Sequence, residues 1–279
     1  MTDLQLRSAR HWSEQGRAEM EAFYCLAADD YRHLALAKNW VHCLETIQKA
    51  IGNRAIRLLD VACGSGKFPN ALVDYGGLNS AQIRPIETAL LDASAFSIAE
   101  AKAALPEQFR ATIDYEVLLQ DFIPPCERFD IVWATHALYV LSEEDLAQGL
   151  RRFRSAIAPG GVGIIAHSAA AGHYIAFHRQ FLAATGQANQ AAFASAEMIL
   201  RLLKADGATV STKEIQYKSI AALSERDAVE GFLQRCLFDD TIALTKMNQY
   251  PELAAYLGSC RSAAGWAFPQ TVWLMTING

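Results

Sequence analysis

The stretch LLDVACGSGKFPN, residues 58–70, limits what the chain can fold into more than any other segment. Ile56 to Val61 reads as a short buried strand, the glycines as a tight turn, and Lys67 as the start of a helix. Corners of this kind hold ligands in many α/β sheets, and three patterns compete for it. The P-loop needs a glycine where Val61 stands and a Ser or Thr where Phe68 stands, so it fails twice. The dinucleotide pattern counted from Gly64 puts its third glycine at Pro69, and counted from Ala62 it puts Lys67 there. The third pattern is an acid followed by small residues at alternate positions: Asp60, Ala62, Gly64, Gly66. Such a turn suits a ligand that must touch backbone closely, because a side chain at Gly64 or Gly66 would stand in its way. A purely structural βα corner is the competing reading.

The order of elements around the turn fits a sheet with helices on both faces. Helices are expected over Trp12–Leu26 and Tyr31–Ile51, broken at Ala28-Asp29-Asp30-Tyr31. Strands follow at Thr88–Leu91, Ile113–Leu119, Phe129–Ala134 and Val162–Ala166, with helices at Ser94–Leu105 and Glu143–Ile157 between them. This alternation predicts an α/β fold: a Rossmann-like, doubly wound, mostly parallel seven-stranded sheet. The less regular C-terminal half reads as helices at Tyr174–Ala184 and Ser195–Ala205, strand Thr209–Ile220, more helix, and a last strand at Thr271–Thr276.

With Asp60, Ala62, Gly64 and Gly66 in this form, the chain resembles the class I S-adenosylmethionine-dependent methyltransferases. Asp92 closes the second strand, where an acid can accept both ribose hydroxyls, with Ala93 beside it. Asp121 is placed to accept from the adenine amino group, with the Phe122 backbone along the ring. FDIVWATHALYVL and IAPGGVGII resemble the family's fourth strand and the turn into its fifth. The resemblance runs from Ile56 to His167 and implies S-adenosylmethionine as cofactor, S-adenosylhomocysteine as product, and no metal. Methyl transfer from a sulfonium needs alignment and desolvation more than acid–base chemistry. A hydroxyl acceptor would need a base, for which His136 and His167, at the carboxyl edge of the sheet, are the candidate catalytic residues. The competing reading makes them polar lining. His11, His33, His42 and His178 read as surface or helix positions.

Within that class the chain is similar to the histamine N-methyltransferase branch, through LLDASAFSIAEAKAAL and the long loop Asp74 to Glu87 before it. The likeness implies Thr135 near the cofactor, His136 where the branch has a glutamine, and Tyr139 as a substrate-facing tyrosine. It puts His173 and Phe177 at two substrate-facing tryptophans and Gln270 at an asparagine before the last strand. An acid to anchor a substrate ammonium is implied too, with Glu19, Glu21, Asp29 and Asp30 available. The expectation is an enzyme of secondary metabolism that methylates nitrogen or oxygen of a small, flat or amine-bearing molecule. A non-catalytic protein that binds the same cofactor, and a nicotinamide-dependent oxidoreductase, are the alternatives.

Composition closes off other classes. Hydrophobic residues at 52% and charged residues at 20% exclude a disordered chain. A formal net charge of −5 argues against nucleic acid as a partner. No run reaches the roughly 18–20 apolar residues of a membrane span. The six cysteines are scattered, without the spacing of a metal site or disulfide framework, so a cytoplasmic monomer or homodimer is expected. One methyltransferase domain is expected over residues 1–279, divided into a helical lid (1–55), a cofactor-binding core (56–168) and a substrate-enclosing part that completes the sheet (169–279).

Overall fold

The structure is a computed structural model describing residues 3–80, 83–188, 190 and 192–279. Helices α1 (Asp3–His11), α2 (Arg17–Leu36) and α3 (Trp40–Ile51) lead into β1 (Arg57–Val61), α4 (Lys67–Asp74), β2 (Ile86–Asp92), α5 (Ala95–Ala104) and β3 (Phe109–Glu116). The chain continues through β4 (Phe129–Thr135), α6 (Glu143–Ser155), β5 (Ile157–Ser168), α7 (His173–Ala184), α8 (Ala196–Ala205) and β6 (Val210–Ala221). It ends with α9 (Arg226–Arg235), α10 (Leu244–Met247), α11 (Pro251–Ser259), β7 (Arg261–Ser262) and β8 (Gly265–Asn278).

The strands form one sheet in the order β3-β2-β1-β4-β5-β8-β6, with the two-residue β7 pairing to β8. Pairing is parallel from β3 to β5, and β8 runs antiparallel between β5 and β6. The sheet is the Rossmann-like arrangement the sequence predicts. Both Leu58 and Leu59 are buried, as a central parallel strand requires. Alternate strand residues separate two cores: Leu59, Val132, Ile165 and Met275 meet α6 and α8, while Leu58, Ile131, Ile164 and Leu274 meet α3 and α4. A third core lies off the sheet, where Leu26, Phe177, Phe232, Leu253 and Phe268 bring α2, α7, α9, α11 and β8 together. The chain winds one way from β1 to β2 and β3, then returns to β4 on the other side of β1. Ligands of open α/β sheets bind at the carboxyl ends of strands flanking such a reversal.

Three expectations about the elements are corrected. Helix α2 runs unbroken through Asp29 and Asp30, because Asp29 pairs with Arg32 and His33 on its own helix and Asp30 is buried. The chain breaks at residues 12–16 and again before Asn39, whose side chain accepts from the His42 N–H and caps α3. The third strand ends at Glu116, and the apolar residues Val117 to Leu119, expected within it, leave the sheet to face a cavity. The last strand is far longer than Thr271–Thr276, since β8 must span both β5 and β6. Within the loop Asp74 to Glu87, residues 81–82 lie outside the described residues. Among the described residues no helix is long and apolar enough to cross a membrane.

Candidate active site

A cavity of about 530 Å³ opens at the carboxyl ends of β1, β2 and β4. That is within the usual range for a cofactor-sized ligand, roughly 300–1,000 Å³. Asp60, Ala62, Gly64, Asp92, Ala93, Thr135 and His136 line it, so most of the positions expected from the sequence converge. Gly64 and Gly66 have φ of +52° and +67°, the left-handed region that favours glycine. A Cβ on Gly66 would lie 3.0 Å from the backbone of Ala101, so this glycine lets α5 approach and does not face the cavity. A Cβ on Gly64 would meet only the Tyr24 hydroxyl at 3.8 Å; here the turn itself and the open side matter.

Two carboxyls give the cavity its polarity. Burial, helped by the negative charge of Asp92, pushes Asp60 up to about 7. A buried acid whose ionisation is this costly is matched to a cationic ligand group, which repays the cost of the charge. Asp92 accepts the Gly64 N–H at 3.1 Å and the Ser94 N–H at 2.9 Å, one on each oxygen. Each carboxylate oxygen has a second acceptor site, so the group that shapes the turn can still accept two ribose hydroxyls. Asp121 is placed differently from expectation. Its side chain is exposed, Phe122 is buried against Tyr115 with ring centroids 5.0 Å apart, and neither lines the cavity. Gln120 lines it instead, and its Oε1 is buried with no partner among the described residues.

A smaller chamber of about 70 Å³ adjoins the first, sharing Trp12, Tyr31 and His136 with it. Its walls include Phe23, Asp30, Tyr139, Tyr174, Phe193 and Arg235. Asp30 is only 2% exposed. Its Oδ2 accepts from the Tyr174 hydroxyl at 2.5 Å, while Oδ1 has no partner among the described residues. Burial raises Asp30 to about 7, against the opposing help of the Tyr174 and Tyr217 hydroxyls. His136 has φ +53° and shares a hydrogen bond of 2.8 Å between Nδ1 and the Tyr139 hydroxyl; its Nε2 is buried without a partner among the described residues. Burial drives His136 down to about 3, so it is neutral at physiological pH and a weak base.

Several expected site residues lie elsewhere. His167 is buried between β5 and the Ala194 carbonyl, 2.9 Å from Nε2. A carbonyl only accepts, so Nε2 carries the hydrogen; the ring stacks on Tyr139 at 4.0 Å and lines neither cavity. His173 and Phe177 sit one turn apart on α7 and stack on each other at 5.2 Å within the third core, with His173 Nδ1 at 2.9 Å from the Tyr256 hydroxyl. Gln270 is buried in β8 and donates to Ser219 Oγ at 3.1 Å. His173 and Phe177 face the third core, Gln270 bonds across to β6, and none of the three lines either cavity. His11 and His178, read as surface or helix positions, lie on helices α1 and α7 with their side chains buried. Of the four candidate acids near the N-terminus, Asp30 alone lines the chamber. All six cysteines are free, and among the described residues no His, Cys, Asp or Glu cluster is placed to hold a metal ion.

A family profile described as AdoMet-dependent proline di-methyltransferase matches residues 32–205. The chain belongs to this family. It is an S-adenosylmethionine-dependent methyltransferase, and the cofactor supplies an electrophilic methyl group borne on a sulfonium. The Arabidopsis thaliana alpha N-terminal protein methyltransferase 1 is 26% identical over 124 residues, 44% of this chain and 43% of that protein. The match therefore spans less than half of that relative's length. Two crystal structures share the fold. One, a Bacillus halodurans protein assigned as a methyltransferase, is 14% identical with a TM-score of 0.55, covering 84% of this chain and 97% of its own. The other, magnesium protoporphyrin IX methyltransferase from Synechocystis PCC 6803 with bound S-adenosylhomocysteine, is 12% identical with a TM-score of 0.53, covering 99% and 100%.

Sequence reasoning missed Trp12, Tyr31, Gln120 and Arg235. Trp12, Tyr31 and Gln120 carry no local signature, because they reach the site from the turn after α1, from α2 and from a turn after β3, respectively. Arg235 does carry one: it is the lone charge in the apolar run GFLQRCLF.

Proposed function

We propose that this methyltransferase transfers its methyl group to an amine nitrogen of a compact acceptor held in the chamber lined by Asp30, Tyr174, Tyr139 and His136. The cofactor occupies the larger cavity, with its ammonium toward Asp60, its ribose on Asp92 and its adenine against Leu119 and Gln120. Asp30 carries the reading. A carboxyl with one unpartnered oxygen, walled by aromatic rings, needs a cationic or hydrogen-donating partner to offset its burial. An alkylammonium supplies both. Burial lowers the basicity of an amine and raises Asp30 to about 7, so the two approach each other. Asp30 can then relieve the nitrogen of a proton and leave its lone pair free to attack. An ammonium without that lone pair is no nucleophile. His136, neutral and bonded to Tyr139, orients the acceptor without proton chemistry. The aromatic walls exclude water from the chamber.

The family description and the Arabidopsis relative favour a second acceptor with the same reacting atom, the terminal amine of a protein beginning with proline. The small, ring-lined chamber supports a compact free amine of the kind expected in secondary metabolism. The test is mass spectrometry of acceptors incubated with methyl-labelled cofactor: primary and secondary amines, their alcohol or phenol isosteres, and peptides beginning with proline. Label on nitrogen supports the proposal. Label only on oxygen, or cofactor binding without turnover on any acceptor, would sink it.

A further inference from the structure

One chamber residue plays no part in the amine chemistry. Arg235, at the end of α9, is 2% exposed and lines the same chamber as Asp30. Only Nη2 is bonded, to the His11 carbonyl at 2.9 Å; Nε and Nη1 are buried with no partner among the described residues. Trp12 covers one face of the guanidinium, 4.5 Å from ring centroid to Cζ. Stacking uses the face of the group and leaves its in-plane N–H donors free. Glu19 and Asp240 act on it through space without bonding to it, and Asp240 pairs with Arg10. Burial lowers Arg235 to about 10, so it remains charged at physiological pH. Two unmade hydrogen bonds on a buried cation are costly, and an anion with oxygen acceptors is what satisfies them.

We propose that Arg235 binds a carboxylate on the methyl acceptor, so that the substrate is a compact amino acid with its amine at Asp30 and its acid at Arg235. The inference rests on the amine reading above and adds the second anchor. The chamber then presents one anionic and one cationic side chain across a ring-lined space, the complement of a zwitterion. A peptide terminus lacks that carboxylate beside its amine, so the inference also separates the two acceptors. The other carboxylate within reach of this region is the cofactor's own. Arg235 lines the chamber and does not line the larger cavity, which assigns it to the acceptor.

The experiment is calorimetry and label transfer on the full chain loaded with S-adenosylhomocysteine or S-adenosylmethionine. The probes are glycine, alanine and proline, their amides, pyrrolidine as amine alone, and cyclopentanecarboxylate as acid alone. Free acids should bind about tenfold to a hundredfold more tightly than the amides, the scale of hydrogen bonds to a charged group. In Arg235→Gln that gap should close while affinity for S-adenosylhomocysteine stays unchanged, which also shows that the variant is folded. Arg235→Lys, which keeps the charge, should retain part of the gap and serves if the Gln variant does not fold. Equal binding of acids and amides by the unaltered protein would overturn the inference. So would a gap that survives in Arg235→Gln while cofactor affinity falls, which assigns Arg235 to the cofactor's carboxylate. Methylated amides or pyrrolidine with no preference for acids would leave the amine reading standing and remove this one. Cyclopentanecarboxylate bound through Arg235, with no amine methylated, would remove the amine reading and with it the inference that rests on it. No binding of any acid counts against the inference.

Discussion

The larger cavity, proposed for the cofactor, and the smaller chamber, proposed for the acceptor, are neighbours built on different principles. The cavity comes from consecutive corners of one sheet: Asp60 to Gly64 after β1, Asp92 and Ala93 after β2, Thr135 and His136 after β4. Its shape is set at the backbone, where Asp92, bonding Gly64 N–H and Ser94 N–H, ties two corners together. The chamber is gathered from α2, the turn after β4, α7 and α9, with charged groups buried among rings. A cavity for an invariant ligand can be written into backbone turns. A chamber for one acceptor is written into side chains that lie far apart in the chain.

Changes on the two sides should therefore separate. The largest effect falls in the chamber: Asp30→Asn should lower kcat/KM for an amine by about a hundredfold to ten-thousandfold, the range for loss of a positioned proton acceptor. Affinity for S-adenosylhomocysteine, read by calorimetry, should not move. On the cavity side, Asp92→Ala should weaken cofactor binding by about 1.5–3 kcal/mol, with kcat at saturating cofactor much less affected. His136→Asn should cost about fivefold in kcat/KM, one hydrogen bond's worth, and add no new limb to the pH profile. Asp121→Ala should leave cofactor affinity within about 0.5 kcal/mol, as for an ordinary surface substitution.

Buried imidazoles set the acid limit of the fold. His136 and His173 are held down to about 3, and His11, His167 and His178 to about 4, all chiefly by burial. Unfolded, each would take up a proton near 6.5, so the stability they contribute is present above that pH and is lost as pH falls toward 4. Asp30, Asp60 and Asp92 are raised and work in the opposite direction, losing stability as pH rises; the histidines outnumber them. Thermal melts of the free protein should therefore drop between pH 7 and pH 5. His173→Phe should flatten that drop and leave methyl transfer unchanged, since the ring lies in the core and outside the chamber.

The same contrast explains what could be read from the sequence. The parallel sheet and the turn Asp60-Ala62-Gly64 were legible because strand periodicity and glycine placement act over a few residues. The side expected to hold adenine slipped by one position: LLQD looked like the end of a strand, while the chain actually leaves the sheet at Val117 and turns Gln120 inward and Asp121 outward. His173, Phe177 and Gln270 showed the opposite failure. Their types suit a ligand, but the third core claims His173 and Phe177, the Ser219 hydroxyl on β6 claims Gln270, and no local pattern announces either. Asp29-Asp30 read as a helix break because two adjacent acids in an apolar segment disfavour a buried helix. The structure keeps the helix, turns Asp29 to its own surface partners and buries Asp30 against Tyr174 from α7, a contact 144 residues away.

The pH dependence of kcat/KM for an amine acceptor, in the unaltered protein and in Asp30→Asn, tests the central claim most directly. Asp30 must ionise to receive an ammonium, so activity should rise through an apparent pKa of about 7. In Asp30→Asn that limb should vanish, leaving only the ionisation of the acceptor. The same limb, undiminished in Asp30→Asn, would show that another group governs the nitrogen's proton and would contradict the account.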